Sequence, residues 1–538
     1  MKNKIVYILA AVSLLFGSSS CGDFGDVNND PQHVTGDKMK FEMMFTGAQV
    51  FVAGRDWAAW RNNLIYCSTM MQHLSSTQGY WAGDKYTYNS GYNAAYFDSY
   101  DSGIKTLMET YFAWKDDATR VNEFQMTRIV RVILMHRMTD MYGDVPYSEA
   151  GQGYISGIKY PKYDTQQSIY ADMLKELDEA AQTLDATKPN NIKSADIMYQ
   201  GDVDRWKKTA YSLMLRLGMR LSKVDPAEAQ KWVKKAVDGG LYTSNADNAI
   251  IKHDATTDDA ADASGKVLCY LDPDASRVSQ TFIDHLRNSK DPRLTYIATV
   301  CENPKYGALD PKFEYGDTTA VIQLGMPNGY DQLGKNSLTD ISKAPNWPGD
   351  DTAPDPDHPG EVIVTRSGMT KYSVVNRYTY ARLDAPTFVI THAENLLLMA
   401  EAAYRGWIGG SAKDYYEAGV KAAMDQFADY GVRGITSDQI SRYLANNPYN
   451  DADALNQINT QYWVVTFVDE YESWANWRRS GYPVLKQVDY YGNATNGTIP
   501  RRFTYATSEA NINAANYQAA VANLVGGDKM TSRVWWDK

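Results

Sequence analysis

Apolar residues recur at three- and four-residue intervals through most of this chain, and in two places the stripes come in adjacent pairs. Such a pattern commits the chain to amphipathic helices folded back on one another, because each apolar stripe needs another to cover it. The first pair opens with Trp206, Ala210, Leu213, Leu217 and Leu221 on one face. Its second member starts at Asp225-Pro226-Ala227-Glu228 and stops at Gly239-Gly240. Asp225 can cap, Pro226 needs no amide donor at the first position, and Glu228 completes a capping box. The second pair is Ala393, Leu396, Leu397, Ala400, Ala403 and Trp407, a break at Gly409-Gly410, then Tyr416, Val420, Ala423, Phe427 and Tyr430. Further stripes cover 35–52, 122–141 and 169–184. Trp463, Phe467, Tyr471 and Trp474 predict one helix beginning near Tyr462. The expected fold is mostly α, with tetratricopeptide-like helix pairs forming a scaffold and a few short strands beside it.

Between about residues 241 and 386 the helical period is lost. Eight of the 19 prolines fall between 303 and 360, and short strand-like runs appear at 320–324 and 361–364. This stretch reads as a long, loop-rich excursion from a scaffold formed by 35–240 and 387–538. Loops carried on a rigid scaffold are where binding usually resides.

The first 20 residues read as a lipoprotein signal peptide, leaving 21–538 as a single domain. Lys2 and Lys4 precede an apolar run over 5–16, and Gly17, Ser18, Ser19 and Ser20 lead directly to Cys21. The run is short for a bilayer span but right for a signal segment. Cys21 is therefore the expected lipidated N-terminus, with an ordinary secretory signal as the alternative. No later apolar run approaches the ~20 residues of a spanning helix. The expectation is an exported protein held by lipid. Cys67, Cys269 and Cys301 remain; an odd number excludes a disulfide framework, though one bridge such as Cys269–Cys301 stays open.

The formal charge is −11, from 54 Lys+Arg against 65 Asp+Glu, which argues against nucleic acid as a partner. The search for catalytic motifs fails. Residues 329–335 have phosphate-loop spacing, but Asn336 stands where Ser or Thr must hold magnesium. No Gly-x-Ser-x-Gly, zinc motif or dinucleotide fingerprint occurs. His136 sits in an apolar helix and reads as a hydrogen-bonded core residue. Asp350, Asp351, Asp355 and Asp357 have oxygen ligands suited to calcium but lack EF-hand spacing, so a solvated acidic loop is the plainer reading. No cofactor is expected. Carboxylates abound for a glycosidase pair, but sequence cannot place two of them across one bond.

Aromatic residues are the compositional outlier: 39 Tyr exceed 13 Trp and 14 Phe together. Most should pack in the core. The loop over 75–93 is the exception, with Tyr80, Trp81, Tyr86, Tyr88 and Tyr92 set among glycines and no helical or alternating stripe. Rings presented there would suit the C–H face of a sugar, with Asp84 meeting hydroxyls. The first candidate ligand residues are thus Tyr80, Trp81, Asp84, Tyr86 and Tyr88. Tyr330 and Trp347, in the proline-rich excursion, are the second set.

Several strings carry a resemblance. They are DFGDVNNDP after Cys21, LMHRMTDMYGDVPYSEAG over 134–151, and the segments 163–178, 201–223, 391–408, 474–486 and 499–521. Together they resemble the SusD/RagB-like family of Bacteroidetes outer-membrane lipoproteins, in its starch-binding-associated second subgroup. The resemblance departs at 210–212, where the family usually has Asn before Ser, and at Ser480, where Thr is usual. It implies a non-enzymatic binder at the cell surface, anchored in the outer membrane through Cys21, with Asp23 and Asp26 resembling a surface-export signal. It also implies a glycan or oligopeptide ligand and a SusC-like TonB-dependent transporter as partner. A lipid-anchored surface glycoside hydrolase is the alternative. The residues leave open whether the ligand is glycan or peptide.

Overall fold

The computed structural model describes residues 40–257, 260–302, 315–334 and 337–538. The signal segment, Cys21, Asp23, Asp26, Lys335 and Asn336 lie outside them. Thirteen α-helices of eight residues or more are described. They are α1 Phe41–Ala53, α2 Ser90–Trp114, α3 Val121–Tyr142, α4 Gln166–Thr183, α5 Val203–Arg220, α6 Pro226–Gly239 and α7 Gln280–Asn288. After the excursion come α8 His392–Tyr404, α9 Ala412–Asp425, α10 Ser437–Asn446, α11 Ala454–Val465, α12 Glu470–Ser480 and α13 Ala514–Ala522. α5 packs on α6 and α8 on α9, the two pairs expected from the stripes; α1 packs on α2, and α3 on α4. Asp225 caps α6 by accepting from the Glu228 amide at 3.1 Å, with Pro226 at the first position. The capping box is only half formed. The Glu228 side chain turns to Lys231 and to Trp232 Nε1, at 2.9 and 3.0 Å.

The single helix expected from Tyr462 is two helices. The chain breaks between α11 and α12, where Val468 takes a φ of 77°, a left-handed conformation that no helix continues through. The strand expected at 320–324 is a single 3₁₀ turn, Ala320–Ile322. The other expected strand is present as Val362–Arg366, paired antiparallel with Asp351–Pro354. Five two-stranded sheets are described, among them Leu74–Ser76 with Ser276–Val278, which ties the candidate loop to the excursion. Cys67, Cys269 and Cys301 are buried thiols, so the possible Cys269–Cys301 bridge is not formed. Of the four excursion aspartates, Asp350 accepts from the Gly368 amide, Asp351 pairs with Lys371, and Asp355 accepts from the Asp357 amide, so three serve the hairpin itself.

The strings that carry the family resemblance converge in the core. Arg220, on α5, donates to Glu472 on α12 at 2.6 Å and lies 3.4 Å from Asp140 on α3. Arg216 pairs with Glu394 on α8, and Arg479 grips Glu401 through two bonds of 2.8 Å. Arg478 stacks on Trp474, 3.8 Å from the ring centroid, and donates to the Asp140 carbonyl at 2.6 Å. All of these groups are buried. His136 lies among them, buried as expected, with its Nδ1 3.6 Å from Asp140. Burial pushes this imidazole down to about 4, so it is neutral at pH 7.

Candidate functional site: an aromatic surface around Arg61 and Asp272

Two stretches of π-helix, a rare form found often at functional sites, supply this surface. The first, Ala59–Ser68, follows the short turn Asp56–Ala58; the second is Val267–Leu271, which ends at Asp272. Buried asparagines fasten the first. Asn62 donates to the Tyr92 carbonyl at 2.9 Å and accepts from the Tyr96 amide at 2.6 Å, both on α2. Asn63 donates to the Val468 carbonyl at 2.8 Å and accepts from the Glu470 amide at 3.0 Å. The loop that follows comes down on the same stretch at Gly83. A Cβ there would meet Thr69 Oγ1 at 2.2 Å and the Ile65 carbonyl oxygen at 2.4 Å, so only glycine fits.

Asp272 organises the rings. Its Oδ1 accepts from the Tyr80 hydroxyl at 2.6 Å, and its Oδ2 from Trp81 Nε1 at 2.7 Å and Trp60 Nε1 at 3.1 Å. Beside it, the Arg61 guanidinium is enclosed by aromatic faces. Its Cζ lies 4.2 Å from the Trp57 ring centroid, 4.0 Å from Trp60 and 4.6 Å from Tyr92. Burial lowers its pKa, while the fields of Tyr92, Asp272 and Tyr80 oppose this; an arginine so placed keeps its charge at neutral pH. Trp57 and Tyr80 are 49% and 44% exposed, so their outer faces are open to a flat ligand. Flat apolar faces with a fixed cation and carboxylate between them can stack on a sugar ring and hydrogen-bond its substituents.

The sequence candidates divide here. Tyr80 belongs to the surface, and Tyr92 walls the arginine. Trp81 corrects the expectation of a presented ring: it is 0% exposed, part of the main core, with its N–H spent on Asp272. Asp84 and Tyr86 are buried as well. Asp84 accepts from Ser76 Oγ at 2.7 Å, the Ser76 amide at 3.1 Å and Asn328 Nδ2 at 3.3 Å, pinning the loop to the excursion. The Tyr86 hydroxyl accepts from the Val488 amide at 3.3 Å. Tyr88 is exposed, just before α2. Tyr330 lines a separate polar cleft of about 550 Å³ with Gln72, Asn328, Lys486 and Asp489. Trp347 packs against a small satellite core of Met326, Ile341, Met369 and Tyr372. Trp57, Trp60, Arg61 and Asp272 are not among the sequence candidates. The signal for three of them stands in Asp56-Trp57-Ala58-Ala59-Trp60-Arg61, whose two tryptophans and arginine share a helical face.

The scaffold of paired helices thus carries an aromatic surface built from two π-helical stretches, α2 and the loop between them. Residues 33–506 match the SusD-like family described as starch-binding and associating with the outer membrane, and the chain belongs to that family. Among solved structures, it is similar to a chitin-binding protein at 30% identity and a TM-score of 0.76, covering 93% of this chain and 100% of the other. It is similar to a SusD-like protein of Bacteroidetes AC2a at 27% identity and a TM-score of 0.80, with the same coverage. A SusD homologue of Bacteroides uniformis ATCC 8492 shares the fold at 24% identity and a TM-score of 0.73, again covering 93% and 100%. No curated protein matches the sequence. Among the described residues, no helix is long and apolar enough to cross a membrane.

Proposed function

We propose that this protein captures glycan at the cell surface on the Trp57–Trp60–Tyr80–Tyr92 surface and passes it to a SusC-like TonB-dependent transporter, performing no chemistry itself. The observation that carries this reading is the pair of exposed rings, Trp57 and Tyr80, fixed beside Arg61 and Asp272. The family's starch-binding description and the chitin-binding relative support a sugar as the ligand.

The test is titration of the purified protein with a panel of starch, chitin, cellulose, xylan and mannan oligosaccharides, with oligopeptides alongside. Stacking on one ring contributes roughly 1–2 kcal/mol, so Trp57→Ala and Tyr80→Ala should each weaken binding about 5- to 30-fold. Because both rings are half exposed, unfolding free energy should change little. Unchanged affinity in both variants would move the site to the Tyr330 cleft. Peptide binding with no glycan binding would replace the ligand class. Cleavage of a glycan, abolished by one Asp or Glu substitution, would replace capture by hydrolysis.

Anchoring is tested separately. Wild-type protein extracted from membranes in mild detergent should co-purify with a β-barrel transporter. Cys21→Ala should leave the membrane fraction or accumulate as unprocessed precursor. A processed Cys21→Ala protein that stays membrane-bound without the transporter would overturn the lipid anchor.

A further inference from the structure

Aliphatic side chains lie exposed in a row at two places among the described residues. One is the strand Val362–Arg366, where Val362, Ile363 and Val364 are 67%, 41% and 58% exposed. Alternation puts Val362 and Val364 on one face and Ile363 on the other, so both faces of this two-stranded sheet are open to water. A hairpin in that state is marginal by itself and gains from a further element packed on it. The turn that closes it is acidic. Asp355 is paired with His358 at 3.0 Å, but Asp357 and Glu361 enter no ion pair among the described residues.

The other place is the 3₁₀ turn Ala320–Ile322, where Val321 is 80% exposed and Ile322 is exposed beside it. Val321 forms part of the wall of a cleft of about 620 Å³ between α7, the turn after it and α10, which Leu286 and Leu294 also line. The ring in that wall, Tyr443, is buried, so it offers no face for a sugar to stack on. Its carboxylate, Asp291, is taken by Arg293 Nε at 2.9 Å. Lys290 and Arg442, on the rim, are exposed and enter no ion pair among the described residues.

The two places complement each other. Both are aliphatic; one carries two unpaired acids and the other two unpaired cations. The net charge of −11 repels a second copy in general, so an acidic segment approaches closely only where cations receive it. Both surfaces are open in the same copy, so the hairpin does not fill its own chain's cleft. A second copy supplies each surface with the other.

We propose that this chain self-associates head to tail, the 351–366 hairpin of one copy seating in the α7–α10 cleft of the next, with Asp357 and Glu361 facing Lys290 and Arg442. Such a contact is heterologous, so it closes into a ring or runs on as a chain. It uses no residue of the aromatic surface, and its test uses no glycan, so it stands or falls apart from the capture reading.

The test is sedimentation velocity on the chain expressed from residue 21 with Cys21→Ala, which carries no lipid, at up to about 100 μM, where micromolar contacts fill. This parent protein should form dimers or larger species that grow with concentration. Two double variants should each weaken association about tenfold or more: Val362→Lys with Val364→Lys on the hairpin, where an exposed strand tolerates lysine, and Lys290→Glu with Arg442→Glu on the cleft. Mixed together, these two should form a heterodimer and nothing larger, because one keeps an intact cleft and the other an intact hairpin. Asp357→Lys with Glu361→Lys, mixed with the cleft variant, should restore the contact with its charges exchanged. Thermal melts matching the parent certify that every variant is folded. A parent protein that stays monomeric throughout would overturn the proposal. Association that persists in both double variants would overturn it by placing the contact elsewhere. A mixture of the two folded double variants that stays monomeric would overturn it as well.

Discussion

Trp81→Ala is expected to lower unfolding free energy by about 3–5 kcal/mol, the usual cost of deleting a large buried aromatic. The ring is fully buried and its N–H donates to Asp272 at 2.7 Å. Two losses add in this substitution: the packing of the indole, and one of three donors to a partly buried carboxylate. Trp81→Phe separates them. It keeps most of the apolar volume and removes the donor, so it should cost about 1.5–3 kcal/mol, the range for a hydrogen bond to a charged group. Both variants should also weaken glycan binding, because Asp272, which holds Tyr80 and Trp60 in place, loses the bond from Trp81 that helps to fix it. Denaturant titration read by tryptophan fluorescence gives the stabilities. A loss under about 1 kcal/mol for Trp81→Ala would return the ring to the surface and restore it as a ligand contact.

The burial of Trp81 shows which information the local sequence carries. A stripe of period 3.6 reports its own burial, so the pairs α5–α6 and α8–α9 are legible from their own residues. The break at Val468 is not, because Trp463, Phe467, Tyr471 and Trp474 keep the period across it, and all four rings are buried on both sides of the turn. In the loop over 75–93 there is no period to read. Whether Trp81 or Tyr80 faces water is decided by Asp272, some 190 residues away in the chain, and by the Asp84–Asn328 contact across the excursion. The π-helical stretch at Ala59–Ser68 is equally hidden, since a wider turn changes which residues share a face. The strings that identify the family are legible for a different reason. They hold the buried charges of α3, α5, α8 and α12, and a buried charge restricts its neighbours far more than an apolar contact does.

One of those pairs gives the other large effect. Glu401 and Arg479 are each 1% exposed and joined by two 2.8 Å bonds. Arg405 Nε and Asn459 Nδ2 also donate to Glu401, at 2.9 and 3.1 Å. Burial alone would raise the Glu401 carboxyl, but the charge and hydrogen bonds of Arg479, with those of Arg405, hold it down to about 2. In the unfolded chain its value is about 4.5. A carboxyl depressed by folding contributes stability that is present above 4.5 and lost as pH falls through 2, here about 3 kcal/mol at 1.36 kcal/mol per unit. Glu401→Gln keeps the shape but turns an amide N–H₂ toward donors and leaves Arg479 without its counter-charge. Breaking one side of a buried pair costs about 3–5 kcal/mol, which agrees with the linkage figure. At pH 7, Glu401→Gln should therefore lose that much unfolding free energy. Between pH 4.5 and 2 the difference from wild type should shrink, since protonation removes the same charge from the wild type. Denaturant titrations at both ends of that range measure it. A wild-type-minus-variant difference that stays constant with pH would show that the carboxylate charge is not what holds α8 against α12.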